Sequence, residues 1–183
     1  MDDGYRLPDA HEEVQSEEWQ YNQDLSHCTE CCAHQTLNRY YVSASSSTLK
    51  KNLVCNGFVN GWTEFGIIRA YLNDDRLDDN LKNYLIASTR MTYALYGVAD
   101  ISVHAGGWGE AEVTDLCTTY FGEAGGSSYG SSVYQMVLKN PGKYAAAAID
   151  YLQITEIEST MAANQGENYS EANLLDLLFN QGP

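Results

Sequence analysis

The chain has 183 residues, room for one domain with a buried core and little more. Its 25 acidic side chains against 10 Lys and Arg give a formal charge of −15, opposite in sign to what a phosphate-backbone binder needs, so nucleic acid is not an expected partner. A hydrophobic share of 44% with only 3 Pro is that of a globular protein, and the lack of any run of about 18 apolar residues argues against a membrane span.

The opening Met1-Asp2-Asp3-Gly4 carries no basic segment and no apolar one. The expectation is a cytoplasmic protein as the chain stands, or a secreted or envelope protein if its true beginning is missing. Five cysteines, three of them crowded into Cys28, Cys31 and Cys32, make a poor disulfide framework and point to reduced thiols.

Residues 1–23 hold seven acidic side chains and few aliphatics, which reads as an acidic, partly ordered lead-in. Residues 24–183 then form a single helical domain. From Asp24, a candidate N-cap, to Tyr41 the apolar positions Leu25, Cys28, Cys32, Leu37 and Tyr41 fall at helical steps. A Ser-rich loop follows at 43–48. Apolar spacing resumes over 53–72, although Gly57, Gly61 and Gly66 weaken the first half as helix. A turn at 74–79 precedes one long helix ending near His104, before Gly106-Gly107. Next come a short amphipathic helix at 110–120, a Gly/Ser loop at 123–128, and a helix over 141–163 opened by Asn140 as N-cap and Pro141. Ser170 caps a last helix through Leu178. No segment alternates with period two for long, so the predicted fold is all-α with about six helices.

The densest chemistry is His27-Cys28-Thr29-Glu30-Cys31-Cys32-Ala33-His34, whose thiols and imidazoles are the ligand types zinc prefers. On one helix His27 and His34 would lie about 10 Å apart, too far for one ion. Glu30 with His34, or Cys28 with Cys32, are neighbours at four-residue spacing. The same residues also read as a core helix, since buried cysteine behaves as a small hydrophobe. Two further pieces stand out, Asn60-Gly61-Trp62-Thr63-Glu64-Phe65 and Asp100-Ile101-Ser102-Val103-His104-Ala105-Gly106-Gly107-Trp108. The first fits close helix packing and the second a helix end, where a histidine is favoured by the dipole.

The order of these pieces carries more than any one of them. From His34 to Pro183 the chain resembles the C-terminal part of a bacterial family of zinc-dependent, carboxypeptidase-like metallopeptidases of the gluzincin type, long filed as a domain of unknown function. The family's landmarks run HExxPGH, EGWA, D-x-x-x-H-x-x-x-W, a P-x-x-Y helix reaching a Y-L-E step, and a closing G-P. Here their counterparts are Cys28–His34, Asn60-Gly61-Trp62, Asp100/His104/Trp108, Pro141-Gly142-Lys143-Tyr144 with Tyr151-Leu152-Gln153, and Gly182-Pro183.

The departures shape the expected function. Cys28 stands at the first metal histidine, Thr29 at the general-base glutamate, and Asn60 at the presumed third ligand. Ala145–Ala148 replace a polar-aromatic step, and Gln153 replaces a Glu. The resemblance therefore implies a degenerate, non-catalytic relative, a pseudoenzyme that keeps Trp62, Trp108, Tyr144 and Tyr151 beside Asn60 as packing or cleft residues. A weakly active zinc peptidase remains an alternative, with His34, Glu30, Cys28 and Glu64 as a shifted metal set and Glu30 and His104 as candidate catalytic groups. A helical module that binds a peptide or protein is the third reading. Zinc is the one cofactor in view, and no membrane partner is expected.

Overall fold

The structure is a computed structural model and describes residues 56–181. The expected helix over 24–41, with Cys28, Glu30 and His34, lies outside them. All regular structure among the described residues is helical: α1 (Asn56–Asn73), α2 (Asp79–His104), α3 (Glu110–Lys139), α4 (Lys143–Gln165), a 3-10 turn (Gly166–Asn168) and α5 (Glu171–Gln181). The all-α fold with about six helical elements is the one that the spacing predicts. None of these helices is long and apolar enough to cross a membrane.

Helix α4 is central, packed against α1 along one side and against α2 along another, while α2 also carries α3. Two apolar clusters follow from that sharing. One gathers Phe58, Trp62, Phe65, Ile68 and Tyr71 of α1 with Ile86, Tyr151, Ile154, Leu174 and Leu178. The other gathers Leu95 and Ala99 of α2 with Val113, Cys117, Val133 and Val137 of α3. Cys117 is a free, fully buried thiol, and burial pushes its ionisation up, so it packs as a small hydrophobe.

Small residues set the helix spacing. Gly57, Gly61 and Gly66 do not interrupt α1, which is continuous through them. A Cβ at Gly61 would lie 2.5 Å from the Tyr151 nitrogen, and one at Gly97 would lie 2.8 Å from the Ala148 Cβ. The run Ala145–Ala148 is thus the face on which α1 and α2 close from two sides. The helical cost of the glycine is offset by apolar surface removed from water at a short interhelical distance.

The Gly/Ser loop expected at 123–128 is instead helix. Gly122, at φ +74°, breaks α3 into arms of 110–121 and 123–139. A Cβ at Gly126 would lie 2.3 Å from the Thr118 Cα, and one at Gly130 would lie 2.5 Å from the Thr114 Cα. Residues 8 and 16 apart on a straight helix are about 12 and 24 Å apart, so the chain reverses at Gly122 and the two arms pack as an antiparallel hairpin. Glycine is required at the reversal because a Cβ disfavours positive φ, and Gly126 and Gly130 face Thr118 and Thr114 where the arms meet.

Caps define the remaining boundaries. Asp78 Oδ1 accepts hydrogen bonds from Asn80 and Leu81 at the start of α2 (2.8 and 3.0 Å). The helix expected from Pro141 begins at Lys143, after Gly142 in the left-handed conformation. Asn140 caps the end of α3 rather than the start of α4, its Nδ2 donating to Met136 O at 3.1 Å. At the far end Arg69 pairs with Glu158 and stands 3.6 Å from Glu171, tying α1 to α4 and α5. Tyr169 donates to the same Glu158 carboxylate at 2.9 Å.

Replacing Gly130 by Val should destabilise the domain by about 1–3 kcal/mol or more, because the added carbons meet backbone rather than a flexible side-chain end. Urea denaturation of Gly130→Val against Gly125→Ala, whose Cβ would meet only the Phe121 Cβ at 3.6 Å, is the check.

Candidate functional site

The D-x-x-x-H-x-x-x-W and P-G-x-Y segments meet at one carboxylate. Asp100, 1% exposed on α2, accepts from Gly142 N on Oδ1 (2.9 Å) and from Tyr144 N and Ala145 N on Oδ2 (3.0 Å each). These amides are among those that a helix start leaves without intrahelical partners, and the negative charge faces the positive end of the α4 dipole. Asp100 is therefore the cap that Asn140 was expected to be, supplied 42 residues away in sequence.

His104 extends the junction. Its Nε2 lies 3.0 Å from Val137 O, and because a carbonyl only accepts, Nε2 carries the hydrogen. The same nitrogen is 3.5 Å from Asp100 Oδ1. His104 thus ties the end of α2 to the second arm of α3. Trp108 N donates to Ser102 O at 3.0 Å, and the ring packs on the second apolar cluster. Tyr144 meets Tyr96 edge-on at 5.4 Å between ring centroids, and Tyr96 in turn bonds the Tyr129 hydroxyl. Burial, then that bond, raises the Tyr96 phenol well above its ordinary range. At this junction Asp100, His104, Trp108 and Tyr144 act on helix ends and core packing.

A different cluster of polar side chains lines a cavity. A cavity of about 330 Å³ lies between α1, α2 and α4, lined by Glu64, Arg90, Tyr93, Ala94, Ala148, Tyr151, Leu152 and Thr155. Glu64 is 1% exposed, and its Oε2 is buried with no hydrogen-bond partner. Burial pushes its carboxyl up to about 8, against a smaller opposing pull from Arg90. The carboxyl is therefore predominantly neutral at pH 7. Arg90 Nε donates to Tyr151 Oη at 3.1 Å. A larger hollow of about 770 Å³, between α2 and α3, is lined by Tyr84, Met91, Tyr120, Phe121 and Tyr129 among others and holds no charged side chain.

The sequence-derived site residues are thus divided. Glu64 and Tyr151 share the cavity. Trp62 is buried in the first apolar cluster, stacked on Phe65 at 5.9 Å, and Asn60 is half-buried one turn before Glu64. Among the described residues no group of three His, Cys, Asp or Glu side chains could hold a metal. Glu64, the described member of the shifted zinc set, shares its cavity with the Arg90 guanidinium.

Arg90, Tyr93 and Thr155 were not singled out from sequence. A signal existed for the first two. Ile86, Arg90, Tyr93 and Gly97 recur at steps of 4, 3 and 4, so Arg90 is a cation on an inward stripe that holds buried Ile86 and Gly97. Compared with protein-family models, curated proteins and solved structures, the chain matches none at a significant level.

Asp100→Ala should cost about 2–4 kcal/mol, since three amides lose a charged acceptor inside the protein; equilibrium urea titration measures it. Glu64 gives a pH signature. A carboxyl raised from 4.5 to about 8 on folding binds its proton more tightly in the native state. Its contribution is fully present below about pH 4.5 and is lost as pH rises toward and through 8, by up to about 1.4 kcal/mol per pH unit. Glu64→Gln should therefore gain stability relative to the parent as pH climbs through that window, and a flat difference between the two would remove the assigned shift.

Proposed function

We propose that this domain is a non-catalytic relative of the HExxPGH zinc peptidases, retaining their packing landmarks and lacking their chemistry. The observation that carries this reading is the convergence of Asp100, His104 and Trp108 with the Pro141-Gly142-Lys143-Tyr144 turn, through three hydrogen bonds to the Asp100 carboxylate. Segments that resemble two successive family landmarks thus act as one structural device. Asn60-Gly61-Trp62 fits the same pattern, because Gly61 packs on the α4 backbone at Tyr151, within the Tyr151-Leu152-Gln153 counterpart of Y-L-E.

The chemistry argues against catalysis. A zinc peptidase needs three protein ligands, an open coordination position and a carboxylate to take a proton from water. Thr29 cannot act as a base near neutral pH, Asn60 is a poor zinc ligand, and Cys28 replaces an imidazole. The shifted alternative of Glu30, His34, Cys28 and Glu64 would place a dication in a cavity that the Arg90 guanidinium also lines.

A second reading, a helical interaction module, is favoured by exposed apolar side chains on two helices that touch. Val98 and Ile101 of α2 and Ile149 and Leu152 of α4 are 46%, 50%, 47% and 62% exposed. Gly97 faces Ala148 across that seam, so the four flank one line of contact, where a partner would bury apolar area.

Elemental analysis of untagged protein purified under reducing conditions should find well below about a tenth of a zinc per chain, with no chelator-sensitive dipeptide hydrolysis. Near one zinc per chain, with hydrolysis abolished by His34→Ala, would overturn the non-catalytic reading.

A further inference from the structure

We propose that two copies of this chain exchange the part that follows Gly122, with α3 of each copy opening from a hairpin into one straight helix. The inference rests on the geometry of α3 and is independent of the family reading.

Helices packed side by side are usually connected by about two to eight residues. The arms 110–121 and 123–139 are joined through Gly122 alone, at φ +74° and ψ 171°. That conformation is open to glycine and to almost no other residue. Gly122 is also the one residue within α3 that departs from helical φ and ψ, so rotation at this single position turns the hairpin into a continuous helix of 30 residues.

The sequence suits both forms. Thr114, Thr118, Gly122, Gly126 and Gly130 recur at four-residue steps, so a straight α3 carries them as one unbroken row of small side chains with Gly122 at its centre. In the hairpin Gly126 faces Thr118 and Gly130 faces Thr114, pairs placed symmetrically about residue 122. Two straight helices laid antiparallel about a two-fold axis at Gly122 would form the same pairs between copies, which is the self-complementary interface that a closed dimer requires. Val113 and Cys117 of the first arm and Val133 and Val137 of the second, all 0% exposed, would keep their packing, with each half supplied by a different copy. The contacts of α4 with α1 and α2 transfer in the same way, because α1 and α2 precede Gly122 and α4 follows it. Away from the hinge, exchange therefore loses no buried contact among the described residues. What opposes it is the entropy of joining two copies, which concentration offsets.

A Cβ at Gly122 would meet no described heavy atom within 4 Å, so Gly122→Ala introduces no clash and acts through the backbone alone. Alanine disfavours the hairpin conformation and favours the helix at both hinges of a dimer, so the dissociation constant should fall by about a thousandfold or more. The test refolds the full chain from urea and sizes it by light scattering. The parent should emerge monomeric from refolding at about 5 μM and partly dimeric from about 500 μM, and Gly122→Ala dimeric from both. Inserting Gly-Ser-Gly-Ser after Gly122 gives the reversal an ordinary loop and should return both chains to monomer. Gly107→Ala, at φ +70° and likewise without a clash, lies in the longer connection 105–109 and should behave as the parent does. Spin labels on unnatural side chains at the exposed positions Glu110 and Lys139 of one chain, diluted into unlabelled copies, distinguish exchange from any other dimer. They should lie about 44 Å apart on a straight helix, against less than about 20 Å in the hairpin. If Gly122→Ala failed to fold, the parent's dimer and its label distance would still decide. A parent that stays monomeric after refolding at about 500 μM, a folded Gly122→Ala chain no more dimeric than Gly107→Ala, or a dimer in which the label distance stays short would each overturn the proposal.

Discussion

Three backbone amides at the start of α4 point at one buried carboxylate, and the arrangement of the domain depends on that contact. Asp100 projects from the second half of α2 and fixes where α4 begins, so it also sets how α4 lies across α2. Helix α4 in turn is the element on which α1 closes. A carboxylate beneath a helix start is favoured twice, by hydrogen bonds to otherwise unpaired amides and by the helix dipole. Arg69, Glu158, Tyr169 and Glu171 fasten the opposite end of the same layer.

With α4 fixed, the distance to its neighbours is set by what its faces lack. Alanines on α4 and glycines on α1 and α2 bring the helices into close contact. Close approach at Gly61 buries the face of α1 that carries Glu64 one turn later. A cavity remains beyond the contact, where Arg90, Tyr93 and Tyr151 hold the walls apart. The burial that makes Glu64 a weak acid is thus a consequence of helix spacing.

Much of the fold was legible in the chain. The long helix ending at His104 followed from apolar spacing between the turn at 74–79 and a glycine stop, and the connection through Trp108 followed from Gly106-Gly107. The helix over 123–139 was not legible, because its glycines carry a local cost that reads as loop, while the tertiary benefit at Gly126 and Gly130 is visible only once the facing threonines are known. Glu64 was noted as a metal ligand in reserve. That it shares a cavity with Arg90 was hidden because the two lie on different helices, and no spacing rule links positions across a helix crossing.

Composition and periodicity by themselves determined that the described chain is helical, where most of its helices run, and that its net charge is strongly negative. Those properties are local or additive, and each residue contributes without knowledge of its distant neighbours. Only the tertiary structure decided that Asp100 caps a helix 42 residues away, that Gly122 folds α3 back on itself, and that Glu64 shares a cavity with a guanidinium. Each of those joins residues whose separation in the chain says nothing about their separation in space.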